Sequence, residues 1–215
     1  MKGQQRILYN RIDKEAMSRM ETVTFQGRII TILTECAANQ AVDYLLSYPL
    51  LGIDTETRPS FHKGEHHQVA LLQVATDDTC FLFRLNRIGM PASVVRLLSD
   101  AVVPKIGLSL HDDLAALRER GSFEVNNFIE LQAYAARFGI EDKSLQKIYA
   151  NLFAQRISKR QQRSNWEADV LSSAQQMYAA IDAWACLRIY KELKTLSKVG
   201  YRLEQAVGPV SVINQ

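Results

Sequence analysis

The 215-residue chain has few cysteines, no apolar run long enough to cross a membrane, and no large excess of either charge. Its three cysteines, Cys36, Cys80 and Cys186, are odd in number, widely spaced and set in largely apolar surroundings. That pattern excludes a disulfide framework and a cysteine-based zinc site, and it suits reduced core thiols. A spanning helix needs about 20 consecutive apolar residues, which no segment supplies, so no membrane partner is expected. Residues 1–20 are too polar and too acid-containing for a signal peptide, and the default expectation is a cytoplasmic protein. Internal repeats, low-complexity tracts and interdomain linkers are also missing.

What is present is enough for one sizeable core, since 47% of the residues are hydrophobic. The pattern predicts a polar leader over 1–20, a domain over 21–199 and a tail over 200–215. Thr22 to Phe25 and Arg28 to Leu33 read as β, followed by a helix from Glu35 to Tyr48 and a strand at Leu50 to Thr57. Gln68 to Ala75 and Thr79 to Leu85 form a hairpin pair around Thr76-Asp77-Asp78. Helices then alternate with short strands: Pro91 to Ser99, a strand around Lys105 to Leu108, Asp112 to Arg120, an apolar stretch near Asn127 to Leu131, and Ser144 to Phe153. A long periodic helix runs from Leu171 to about Leu196. Antiparallel strands first and strand-helix alternation afterwards predict an α/β three-layer domain with a mixed, partly antiparallel sheet flanked by helices.

The chemistry concentrates in acids. Asp54 and Glu56 lie one residue apart in Leu50-Leu51-Gly52-Ile53-Asp54-Thr55-Glu56-Thr57, and alternation along a strand turns both to one face. At about 5 Å two such charges repel by roughly 3 kcal/mol at an effective dielectric near 20, so a fold gains nothing from them unless a cation joins them. The alternative for an isolated Asp-x-Glu is a strand end where both acids lean into water. Two further acids bear on that choice. In Tyr178-Ala179-Ala180-Ile181-Asp182, tyrosine and aspartate are four apart on a helix and project from one face. In Lys105-Ile106-Gly107-Leu108-Ser109-Leu110-His111-Asp112-Asp113, a short strand runs into a helix starting near Ser109 to Asp112, where one aspartate can cap the helix and the other reach a site.

These three motifs, in this order, resemble the DEDD superfamily of 3'-to-5' exonucleases, in the branch with a tyrosine in its last motif. The likeness covers most of the chain. It is greatest to the exonuclease domain of the Werner syndrome helicase, through Ser164-Asn165-Trp166, Leu171, Gln175 and Tyr178-Ala179-Ala180-x-Asp182-Ala183-x-Ala185, with ribonuclease D more distant. The resemblance implies a ribonuclease H-like exonuclease fold and two divalent cations, Mg²⁺ or Mn²⁺, held by Asp54, Glu56, Asp113 and Asp182. Hard carboxylate oxygens suit both ions. Family spacing favours Asp113 over Asp112, which then serves as a helix-start acid suited to the dipole.

Tyr178 is implied to orient the attacking water. Its ordinary pKa near 10 makes positioning the better role than general base catalysis. The sister branch carries a histidine five residues before the last aspartate, and Met177 at that position excludes it. The other account of Tyr178 is core packing.

Substrate grip is expected to be electrostatic, because phosphates dominate affinity for nucleic acid. The net charge is only +3, yet Lys143, Lys147, Arg156, Lys159, Arg160 and Arg163 fall within Lys143 to Trp166 without an acid among them. Lys159, Arg160 and Arg163 are candidate phosphate contacts, or a solvated surface. Thr57 and Arg58, after the first motif, are candidates for the terminal nucleotide, or a strand end and a polar hairpin. The implied partner is nucleic acid with a free 3' end, DNA favoured over RNA, cut to nucleoside monophosphates. Ribonuclease D-like RNA processing and an inert nucleic-acid-binding adaptor are the alternatives.

Overall fold

A computed structural model describes residues 6–206, so the first five residues of the expected leader and the last nine of the expected tail lie outside the described residues. In chain order the elements are β1 (Arg6–Tyr9), α1 (Lys14–Ser18), β2 (Glu21–Thr22), β3 (Arg28–Ile32), α2 (Glu35–Leu45), β4 (Leu51–Thr57), β5 (Val69–Ala75), β6 (Thr79–Phe83), α3 (Leu85–Ile88), α4 (Ala92–Ser99), β7 (Lys105–Gly107), α5 (Leu110–Arg118), β8 (Phe128–Glu130), α6 (Leu131–Ala136), α7 (Leu145–Phe153), β9 (Gln155–Arg156), α8 (Ser173–Val199) and β10 (Tyr201–Glu204).

Six strands form one mixed sheet in the order β3-β6-β5-β4-β7-β8. The β4-β5-β6 meander is antiparallel, whereas β3 pairs parallel to β6 and β7 and β8 extend the other side in parallel. Helices cover both faces, giving three layers. One core joins Leu71, Ala75 and Leu82 to Ala179, Ala183 and Cys186 of α8. The other joins Leu51, Ile53, Leu72 and Val74 to Val42, Leu45, Leu97 and Leu117 of α2, α4 and α5. Alternation along β4 divides the strand cleanly: Leu51 and Ile53 enter the second core, and Gly52, Asp54 and Glu56 turn toward α8.

Gly52 matters because a Cβ there would lie 2.0 Å from the Ala183 carbonyl oxygen. Only a residue without a side chain lets α8 cross β4 so closely, and that crossing sets Asp182, the neighbour of Ala183, over Asp54. The helix itself is well started. The Ser172 hydroxyl accepts from the Gln175 N–H and the Gln175 side chain accepts from the Ser172 N–H, a reciprocal capping box.

Three local expectations are corrected. Thr22 to Phe25 does not enter the sheet; β2 holds only Glu21 and Thr22 and pairs with β9. The helix expected over Asp112 to Arg120 begins two residues earlier, so both aspartates sit inside its first turn and neither caps it. The cap comes from Glu130 on β8, whose carboxylate accepts the Ser109 N–H at 3.1 Å and the Leu110 N–H at 2.8 Å. Within the described residues β1 and β10 form a parallel pair, with Leu8 fully buried and Asn151 bonded to both backbone groups of Tyr9. Among the described residues no helix is long and apolar enough to cross a membrane.

Candidate active site

Asp54 and Glu56 reach the end of β4 on the α8 side, and α8 brings Asp182 against them. One carboxylate oxygen from each of the three lies within 4.8 Å of the others. Asp113 arrives from α5 on the opposite side of the strand, where its Oδ1 accepts a hydrogen bond from the Thr55 hydroxyl. A cavity of about 490 Å³ is lined by Asp54, Thr55, Glu56, Asp113, Tyr178 and Asp182, together with Lys143, Lys159 and Gln162. A larger cavity of about 730 Å³, lined by residues including Phe25, Asp78, Trp184 and Arg188, contains none of the five candidate residues.

Crowding the acids makes ionisation costly. Burial, then the charges of Asp182 and Asp113, hold the Asp54 carboxyl well above the usual carboxylate range. Burial, then the charges of Asp54, Asp182 and Asp113, push Glu56 up to about 10. Burial raises Asp182 to about 7 even though the Tyr178 hydroxyl and Lys159 favour its ionised form. Asp113 rises to about 6 through burial, opposed by the Thr55 hydroxyl and aided by Asp112 and Glu130. Burial and the adjacent Asp182 and Glu56 move the Tyr178 phenol up, so it stays protonated at neutral pH. Asp182 Oδ1 is buried with no hydrogen-bond partner. An orphaned carboxylate oxygen beside two further carboxyls is an arrangement that a hard divalent cation completes, and the residues fit such a group.

The sequence-predicted residues separate into two groups. Asp54, Glu56, Asp113, Tyr178, Asp182 and Lys159 share one cavity, and the exposed Asp112 is outside it. Thr57 sits just past a register shift in the β4-β5 ladder and does not line the cavity, nor does Arg160. Arg58 faces Glu167 at 3.3 Å, and Arg163 lies over the Phe61 ring. Of the other basic residues, Lys143 lines the cavity, Lys147 pairs with Asp142 at 2.8 Å and Arg156 bonds to the Met20 carbonyl.

Sequence reasoning missed Thr55, Gly52 and Glu130. Thr55 had a visible signal, being the middle residue of the first motif, but its face of the strand points away from the paired acids. Glu130 had none, because it acts across β7 on a helix start held by Ser109 in the left-handed region (φ 61°). Trp166, part of the family likeness, is fully buried with its ring 6.0 Å from that of Tyr178.

A mixed-sheet α/β domain of ribonuclease H-like fold that gathers buried carboxylates at the end of a central strand defines a class, the metal-dependent hydrolases. The profile of the 3'-5' exonuclease family DNA_pol_A_exo1 matches residues 29–198, and the chain belongs to that family. It is similar to a 3'-5' exonuclease of Arabidopsis thaliana, 29% identical over 201 residues that cover 89% of this chain and 64% of the relative. It is also similar to the bifunctional 3'-5' exonuclease/ATP-dependent helicase of Mus musculus, 28% identical over 153 residues, covering 68% of this chain and 11% of that protein. The chain thus spans less than two thirds of either relative. Among solved structures, the Aedes aegypti Nibbler EXO domain shares the fold with a TM-score of 0.75 at 18% identity, covering 84% of this chain and 95% of that one. Escherichia coli RNase D does so with a TM-score of 0.71 at 20% identity, covering 81% and 46%.

Proposed function

We propose that this chain hydrolyses phosphodiester bonds one nucleotide at a time from the 3' end of a nucleic acid, using two divalent cations, Mg²⁺ or Mn²⁺. The observation that carries this reading is the convergence of Asp54, Glu56 and Asp182 within 4.8 Å in the cavity that Asp113 and Tyr178 also line. Divalent ions, when bound, supply an activated water and stabilise charge on the phosphoryl and leaving oxygens. Asp54, Glu56 and Asp182 from one side, and Asp113 from the other, would hold them. The chain does the rest. Tyr178, kept protonated, donates a hydrogen bond that orients the attacking water, and Lys143 and Lys159 offset phosphate charge at the cavity wall.

We favour DNA as the strand, on the likeness to the Werner-type domain through Ser164-Asn165-Trp166. The fold likeness to RNase D supports the second reading, an RNA 3' end. Matched DNA and RNA oligonucleotides, labelled at the 5' end and incubated with Mg²⁺ or Mn²⁺ or with EDTA, test both. A ladder shortening from the 3' end, lost in EDTA and in Asp54→Ala, is expected. Retention of the strand without cutting under every metal condition would leave the adaptor reading in its place.

A further inference from the structure

We propose that Phe61 and Arg163 form a stacking platform for one unpaired nucleobase of the strand entering the acid-lined cavity. The inference rests on the exonuclease reading and adds what the entering strand must present.

Phe61 is 65% exposed, the one aromatic among the strongly exposed large hydrophobic side chains of the described residues. An open ring on a loop contributes nothing to the core. Its position gives it a use. It lies five residues beyond Glu56 on the loop leaving β4, and its partner Arg163 follows Gln162, which lines the cavity. The Arg163 guanidinium carbon is 5.5 Å from the ring centroid, within cation–π range.

The pair is also held in place. The Glu65 carboxylate accepts from the Phe61 N–H at 3.0 Å and the His62 N–H at 3.3 Å, which fixes the turn that presents the ring. Glu167, in the same segment as Arg163, accepts from Arg58 at 3.3 Å and pairs with His67 Nδ1 at 3.2 Å, tying the two loops together.

Every base offers a π-face to such a ring, and a guanidinium stacks on bases and attracts phosphate as well. The ligand is therefore a single-stranded or frayed end of either sugar. A base still paired in a duplex cannot lie on the ring.

The test measures removal of the first 3' nucleotide from 5'-labelled single strands, either intact or carrying one abasic site at each of the last five positions in turn. Wild type should lose about tenfold in kcat/KM at one abasic position, equivalent to about 1.4 kcal/mol and in the range of one base–aromatic stack. Phe61→Ala should lose about tenfold on the intact strand and nothing further on the strand abasic at that position, while Phe61→Tyr restores the wild-type pattern. Equal rates for Phe61→Ala and wild type on the intact strand, or a further tenfold loss for the variant on the strand abasic at that position, would overturn the platform while leaving the nuclease assignment standing. Failure of wild type to shorten any strand would overturn the nuclease assignment itself, and this inference with it.

Discussion

Replacing Asp182 by asparagine should stabilise the metal-free protein and end its catalysis. The carboxyl is 4% exposed, one of its oxygens has no partner, and its ionisation is displaced from the ordinary 3.8 to about 7. Because the value is raised in the fold, the group contributes its full stability below about pH 4 and loses it as pH climbs through about 7. At about 1.4 kcal/mol for each pKa unit, the penalty reaches at most about 4 kcal/mol by pH 8, and relaxation of the site brings it nearer 2. A neutral amide escapes that penalty. For a domain of this size each kcal/mol moves Tm by about 2–4 °C, so Asp182→Asn in EDTA at pH 8 should melt about 5–15 °C above wild type. At pH 4 the two should coincide, and with Mg²⁺ at pH 8 wild type alone should gain stability. Thermal unfolding followed by circular dichroism at both pH values checks this. A variant that melts at or below wild type in EDTA at pH 8 would show that holding the Asp182 charge in this buried site carries no penalty, and the cation-cage account would fall.

The protons held on Asp54 and Glu56 must leave when cations bind, so calorimetry of Mn²⁺ binding at pH 7.5 in buffers of different ionisation enthalpy should show proton release, and affinity should rise with pH. Tyr178→Phe should slow cleavage at saturating substrate while leaving the metal-induced rise in Tm intact; full activity would remove the water-orienting role. Gly52→Ala places a Cβ 2.0 Å from the Ala183 oxygen and should cost about 1–3 kcal/mol in denaturant unfolding, with activity falling more than stability explains because Asp182 moves off Asp54. Glu130→Gln should weaken the charged cap on α5, costing about 1 kcal/mol and lowering kcat through Asp113, and an unchanged kcat would show that the cap does not position that acid.

Local periodicity made much of this protein legible. Alternation along β4 and the four-residue spacing on α8 are short-range geometry, so the shared face of Asp54 and Glu56 and that of Tyr178 and Asp182 followed from sequence alone, as did the order of most strands and helices. The three-layer architecture followed from the same pattern. Boundaries slipped where a distant group supplied the missing hydrogen bonds: α5 begins at Leu110 because Glu130 caps it from another strand. Within the basic stretch, Arg156 meets the Met20 carbonyl and Arg163 the Phe61 ring, partners too far away in the chain for any local spacing to announce. Sequence by itself determined which residue types were on hand and which pairs shared a face, because those depend on residues two to four apart. Only the tertiary structure decided that α8 passes close enough at Gly52 to set Asp182 over the β4 acids, that Asp113 rather than Asp112 turns inward to the Thr55 hydroxyl, and that Phe61 meets Arg163. Those contacts join residues far apart in the chain, where no period relates one side chain to the other and packing alone selects the neighbour.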